Sequence, residues 1–125
     1  MFEYIETEAA PKAEGPYSQA ILVNGKTLYI SGQVGIDSVT GELVDSDIEA
    51  QTEQVVKNIS AILTEAKFTF DHIVKTDCFL AYMGDYKKFN DIYEKYFTSK
   101  PARTCLSVSD MPKGALLEIS VIAVK

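Results

Sequence analysis

The chain has 125 residues, 46% of them apolar, and a net charge of −6. Such a length sets a single domain spanning residues 1–125 as the expectation and is enough to bury a core. The negative charge argues against general binding to nucleic acid, which needs a basic surface.

Phe2 to Glu6 alternates apolar and polar and reads as a short strand. Thr7 to Ser18 carries Pro11, Gly15 and Pro16 and reads as a loop. Gln19–Val23 and Thr27–Gly32 are β-rich runs on either side of Asn24-Gly25, the strongest short hairpin signal. Gln33 to Ile36 extends the second run beyond Gly32. A glycine inside a strand predicts a bulge or a close approach by another group. Ser46-Asp47-Ile48-Glu49 fits a capping box. After it, Ile48, Val55, Ile59, Ile62, Leu63 and Ala66 recur at helical spacing. Ile73 to Tyr82 is a β-branched and aromatic strand. Asp85 caps a second helix ending near Phe97, whose inner side carries Tyr86, Phe89, Tyr93, Tyr96 and Phe97 and is most simply core. Ala102–Ser109 and Ala115–Val124 are strands joined by the turn-rich Asp110–Gly114.

The order β-β-β-α-β-α-β-β predicts an α+β fold, a mostly antiparallel sheet with two helices on one face. Both faces of the last strand are apolar, so the uncovered face calls for a partner, and a symmetric homo-oligomer is the usual one. A sheet that curls over itself is the alternative. No apolar run is long enough to span a bilayer, and the acidic start is unlike a signal peptide. Cys78 and Cys105 stand far apart in no CxxC pattern, so no disulfide framework or zinc site is expected, and a cytoplasmic, reducing location fits.

Three polar residues stand out. Arg103 lies inside a strand and carries the planar donor fork that matches a carboxylate. Taken alone, it reads as readily as a solvent-facing arginine. Glu118 sits in the middle of the most apolar strand, where a carboxylate needs a partner or a proton. Folding the last two strands into a hairpin about Asp110–Lys113 pairs Cys105 with Glu118 and sets Arg103, Cys105 and Glu118 on one face. A one-residue slip sends Glu118 to the other face. The two charges then form either an acid/base site or an internal ion pair. Asn90 falls on the inward stripe Tyr86, Asn90, Tyr93, Phe97, where its amide needs partners. It either serves a site or ties down a loop. Tyr17 sits in a loop that can close over a pocket, and Ser31-Gly32 offers backbone donors where the glycine admits a ligand. Cys105 has no nearby histidine to activate it. The single histidine, His72, is assigned no role. No metal-ligand cluster and no phosphate-binding glycine loop is present.

Gly15-Pro16-Tyr17-Ser18-Gln19-Ala20, Ile30-Ser31-Gly32-Gln33, Pro101-Ala102-Arg103-Thr104-Cys105, and Glu118-Ile119 with Ile122-Ala123 together resemble the Rid (reactive intermediate deaminase) family. The likeness is nearest to its RidA branch, the 2-iminobutanoate/2-iminopropanoate deaminases. It covers essentially the whole chain. The resemblance implies a chorismate-mutase-like fold, a homotrimer, and clefts between subunits. It implies that Arg103 binds a substrate carboxylate and that the Cys105 backbone contacts the substrate or its water. Glu118 would activate that water, Tyr17 and Asn90 would line the cleft, and Ser31-Gly32 would form its wall. The implied reaction is hydrolysis of a 2-imino acid to a 2-keto acid and ammonia, with no metal or organic cofactor, because an iminium carbon is already electrophilic. Two features depart from the family pattern. Thr98-Ser99-Lys100 is short, and Ser120 stands where an acidic residue is common, leaving Glu118 the only carboxylate in its strand. Two rivals remain. A ribonuclease calls for two acid/base groups and cationic phosphate contacts, which a net-negative chain with one histidine supplies poorly. A non-catalytic binder of small metabolites, regulator or holdase, would use the same cleft without turnover.

Overall fold

Asn24 and Gly25 both adopt positive φ, 53° and 68°, the twist a tight hairpin requires. They join β2 (Ala20–Val23) to β3 (Thr27–Gln33), which pair antiparallel from Ala20↔Ile30 to Val23↔Thr27. A computed structural model describes residues 1–125 and continues this hairpin into one six-stranded sheet. The other elements are β1 (Phe2–Ile5), α1 (Ile48–Glu65), β4 (Ile73–Leu80), α2 (Tyr86–Tyr96), β5 (Ala102–Ser107) and β6 (Leu117–Val124). The element order is the expected one, and the fold is α+β. No helix is long and apolar enough to cross a membrane.

The helix starts differ from the sequence reading. Asp47, not Ser46, caps α1: its carboxylate accepts from the Glu49 and Ala50 N–H groups at 2.8 and 3.2 Å. Asp85 makes no side-chain cap, because a 3₁₀ turn over Met83–Asp85 runs directly into α2.

The strand order is β1-β2-β3-β6-β4-β5, and this corrects the expected pairing of the last two strands. β5 does not fold back on β6. It lies parallel to β4 at the sheet edge, with Cys78 opposite Cys105. The reason is that β4–α2–β5 forms a crossover unit, the connection parallel neighbours require. The linker after β5 then carries the chain past β4. β6 enters between β3 and β4, antiparallel to both. That central slot suits the strand whose Leu117, Ile119, Val121 and Ala123 are essentially inaccessible to solvent.

Both helices pack on one face of the sheet. Val55, Ile59, Ile62 and Leu63 of α1 and Phe89 and Tyr93 of α2 meet the inner residues of the strands in one core. Three buried amides fasten loops to it. Asn58 donates to the Val34 and Ile36 carbonyls. Gln51 accepts from the Leu116 N–H. Gln19 accepts from the Thr7 N–H and donates to the Pro11 carbonyl. The other face of the sheet is uncovered and presents Tyr29, Leu106 and Val124 to solvent.

Candidate functional site

Directly paired residues of neighbouring strands point to the same side of a sheet. Arg103 pairs with Thr76, and Thr76 with the buried Val121, so Arg103 belongs to the helix-covered side. There α2 receives it. Nη1 of Arg103 donates to Asn90 Oδ1 at 2.7 Å, and Nη2 donates to the Tyr86 hydroxyl at 2.8 Å. The Tyr93 ring lies beneath the guanidinium, 4.8 Å from its centroid, and the Tyr93 hydroxyl is bonded to Thr76 Oγ1 at 2.8 Å. The three salt bridges of the chain, Lys75–Asp77, Lys87–Asp91 and Lys113–Glu14, all leave Arg103 out. A half-buried cation is thus held in place by neutral acceptors, with no carboxylate to neutralise it. It borders a cavity of about 650 Å³ with Tyr86, Asn90, Tyr93, Lys100 and Pro101.

Asn90 therefore grips the arginine rather than a loop. The aromatic stripe of α2 is not only core, since Tyr86 and Tyr93 hold the guanidinium. The signal was present in the sequence: Tyr86, Asn90 and Tyr93, spaced four and three, put a phenol, an amide and a ring on one helix face.

Cys105 lies on the same side as Arg103, beside Cys78. Burial pushes the Cys78 thiol up to about 12. Burial also raises Cys105, against the pull of the Arg103 charge. Both remain thiols at neutral pH, so Cys105 is no ready nucleophile.

Glu118 stands elsewhere. It pairs with Phe79, and Phe79 with the exposed Leu106, so its side chain lies on the uncovered side. The register that sets it on one face with Arg103 and Cys105 is therefore corrected: β5 and β6 are not neighbours, and the carboxylate and the guanidinium of one chain lie on opposite sides of the sheet. This also removes the internal ion pair. Glu118 instead lies over Gly32, in the bulge that interrupts the β3–β6 ladder between Ile30 and Gln33. A Cβ on Gly32 would come within 2.6 Å of the Glu118 Cδ. The close approach expected at that glycine is made by this carboxylate. Burial raises the Glu118 carboxyl above the usual range.

Glu118 and Gly32 form one end of a second cavity of about 520 Å³, bounded further by Tyr17, Gln33, Pro112 and Lys113. Tyr17 sits at its exposed rim, its hydroxyl accepting from the Glu14 N–H at 3.4 Å. Ser31 does not offer its donors to a ligand. Its N–H goes to the Gln19 carbonyl at 2.9 Å and its hydroxyl to the Ser18 carbonyl at 2.6 Å. The lining residues of the two cavities do not overlap, so Arg103 and Glu118 of one chain border two separate cavities. His72 borders neither; its ring nitrogen accepts from the Thr69 N–H.

The family model described as endoribonuclease L-PSP matches residues 7–125. The chain belongs to this family, the Rid family. Among Rid-like relatives, it is 52% identical to a Lactococcus lactis protein named as a candidate regulator, AldR, over 95% of this chain and 94% of that one. It is 43% identical to the human 2-iminobutanoate/2-iminopropanoate deaminase, over 97% of this chain and 88% of that protein. Among solved structures, a Yersinia pestis protein of the conserved Rid family, YyfA, whose function is described as unknown, superposes with a TM-score of 0.96 at 52% identity, covering both chains completely. Relatives of similar likeness thus carry different names, one a regulator and one a deaminase.

Proposed function

We propose that this Rid protein hydrolyses small 2-imino acids, such as 2-iminobutanoate and 2-iminopropanoate, to 2-keto acids and ammonia. The observation that carries the reading is Arg103: a fixed guanidinium, presented to a cleft by Asn90, Tyr86 and Tyr93, that forms no salt bridge with any carboxylate of its own chain, although Asp91 and Glu94 also line the cleft. An anion of matching shape is the natural occupant, and two parallel bonds from the fork fix a carboxylate and orient the C=N carbon beside it.

The base is Glu118, in the other half-site. The two halves lie on opposite sides of the sheet, so joining them takes a second copy of the chain. In a cyclic assembly each subunit offers one surface to a different surface of the next. A homotrimer of chorismate-mutase-like form brings Arg103 of one subunit to Glu118 of its neighbour, and its interfaces cover the uncovered sheet face. Glu118 takes a proton from water as the oxygen adds to the iminium carbon, giving a carbinolamine. It returns the proton to the nitrogen, the C–N bond breaks, and ammonia leaves as the hydroxyl proton is lost and the C=O forms. A carboxyl raised by burial suits both steps, and acid–base help of this kind supplies about 10²–10⁴-fold. The chain needs no further cofactor for this chemistry. With both thiols free, we place it in the cytoplasm.

A regulator that binds keto acids without turnover is the second reading, favoured by the name of the Lactococcus relative. One experiment separates the two. A threonine dehydratase releases an enamine that becomes the imine, and semicarbazide traps the imine. The deaminase reading predicts less semicarbazone when the wild-type protein is added, and no such decrease when the Arg103→Ala protein is added instead. Equal trapping with wild type, Arg103→Ala and no protein would leave binding without turnover.

A further inference from the structure

We infer that Tyr86 is a second substrate-binding group, its phenol O–H donating to the carboxylate that Arg103 holds. The inference rests on the reading of Arg103 as a carboxylate site and goes one residue further.

The Tyr86 hydroxyl accepts a proton bond from Nη2 of Arg103 at 2.8 Å. That bond uses an oxygen lone pair and leaves the phenolic proton free, and no acceptor within the chain takes it. The hydroxyl borders the same cleft as the guanidinium. Its ring stands 5.6 Å from the guanidinium carbon, and α2 fixes it one turn before Asn90. A phenol that accepts from a cation is polarised toward donation, because bonds in a chain strengthen one another. A carboxylate placed on the arginine fork therefore meets an O–H donor beside it. One oxygen is held by the guanidinium, and the other is shared between the guanidinium and Tyr86.

This arrangement has a chemical consequence. Two kinds of donor, one charged and one neutral, favour an anion with two equivalent oxygens on one carbon. A ligand with a single anionic oxygen, or an uncharged amide in place of the carboxylate, leaves one of them unpaired and loses affinity.

The test is binding of 2-oxobutanoate, an unreactive product-like 2-keto acid, followed by calorimetry on wild type, Arg103→Ala, Tyr86→Phe and a protein with 3-fluorotyrosine at position 86. Tyr86→Phe keeps the ring and removes only the hydroxyl. Loss of a bond to a charged group predicts roughly tenfold weaker binding or more, with the melting temperature unchanged. Fluorination makes the phenol a better donor and a poorer acceptor. If Tyr86 donates to the ligand, the fluorinated protein binds more tightly than wild type. Weaker binding by the fluorinated protein would show that Tyr86 only orients Arg103, and the inference fails while the Arg103 reading stands. Wild-type affinity for Tyr86→Phe, with binding lost in Arg103→Ala, has the same meaning. Unchanged binding in Arg103→Ala overturns the underlying reading and the inference with it.

Discussion

Arg103 and Glu118 project from opposite sides of one sheet, on strands separated only by β4. Each is anchored independently, the arginine by α2 and the carboxylate by the bulge at Gly32. Neither neutralises the other within a chain. That relationship excludes a structural ion pair within one chain, and the proposed function makes the two groups complementary parts of a site shared between subunits.

Gly32→Ala tests the Glu118 half. A methyl at this position collides with the carboxyl group and also with the Glu118 Cγ, 2.9 Å away, so the whole side chain must turn. The expected result is a fall in kcat of at least about tenfold, up to the loss seen on removing an acid–base group. The melting temperature should shift little, because Gly32 is exposed. Steady-state kinetics with a melt of the same sample checks both.

The raised Glu118 carboxyl has a pH signature. Its folded pKa lies above its unfolded value, so the folded state holds the proton more tightly. That contribution to stability is present below the unfolded pKa and is lost as pH rises through the folded pKa. Replacing it by Glu118→Gln should therefore raise the melting temperature relative to wild type near pH 8, with the gap closing near pH 4. A gap that widens toward acid would mean that the carboxylate is stabilised in the fold rather than desolvated. Activity should rise with pH through the same apparent pKa in wild type.

Asn90→Ala removes one of two polar anchors of the guanidinium. The expected effect is a fall of roughly tenfold in kcat/KM, carried mainly by KM, with the fold intact. Asn90→Asp should be more severe, because it supplies Arg103 with the carboxylate that the chain otherwise withholds.

The cysteines should differ in access but share low reactivity. Alkylation of the native protein at neutral pH should mark Cys105 slowly and leave Cys78 unmarked until the chain unfolds, since Cys78 is buried and its thiol is pushed up to about 12. Peptide mapping after a timed iodoacetamide exposure reads this directly. Rapid marking of Cys78 would show that the β4–β5 edge opens.

Much of this was legible from residues alone. The hairpin at Asn24-Gly25, both helices, the bulge at Gly32, and the three unusual polar residues follow from turn chemistry, periodicity and misplaced charge. Strand order did not. The linker Asp110–Gly114 looks like a hairpin turn locally, and only the competition for the slot between β3 and β4 makes β6 central and β5 an edge. Because faces alternate along a strand, that one error in pairing placed Glu118 on the wrong side. The amides of Gln19, Gln51 and Asn58 were also invisible, since nothing in a sequence distinguishes an amide that fastens a loop from one in solvent. Ser31 looked like a free donor for the same reason: its partners, the Ser18 and Gln19 carbonyls, come from the loop that leads into the neighbouring strand.

The central claim is that each active site takes Arg103 from one subunit and Glu118 from another. Mixing Arg103→Ala and Glu118→Gln chains, each inactive alone, and reassembling them tests it most directly. In a cyclic trimer every mixed assembly carries one interface where an intact Arg103 meets an intact Glu118, so an equal random mixture should recover about a quarter of wild-type deaminase activity. Recovery of none, with mixed assemblies shown to form, would contradict the account.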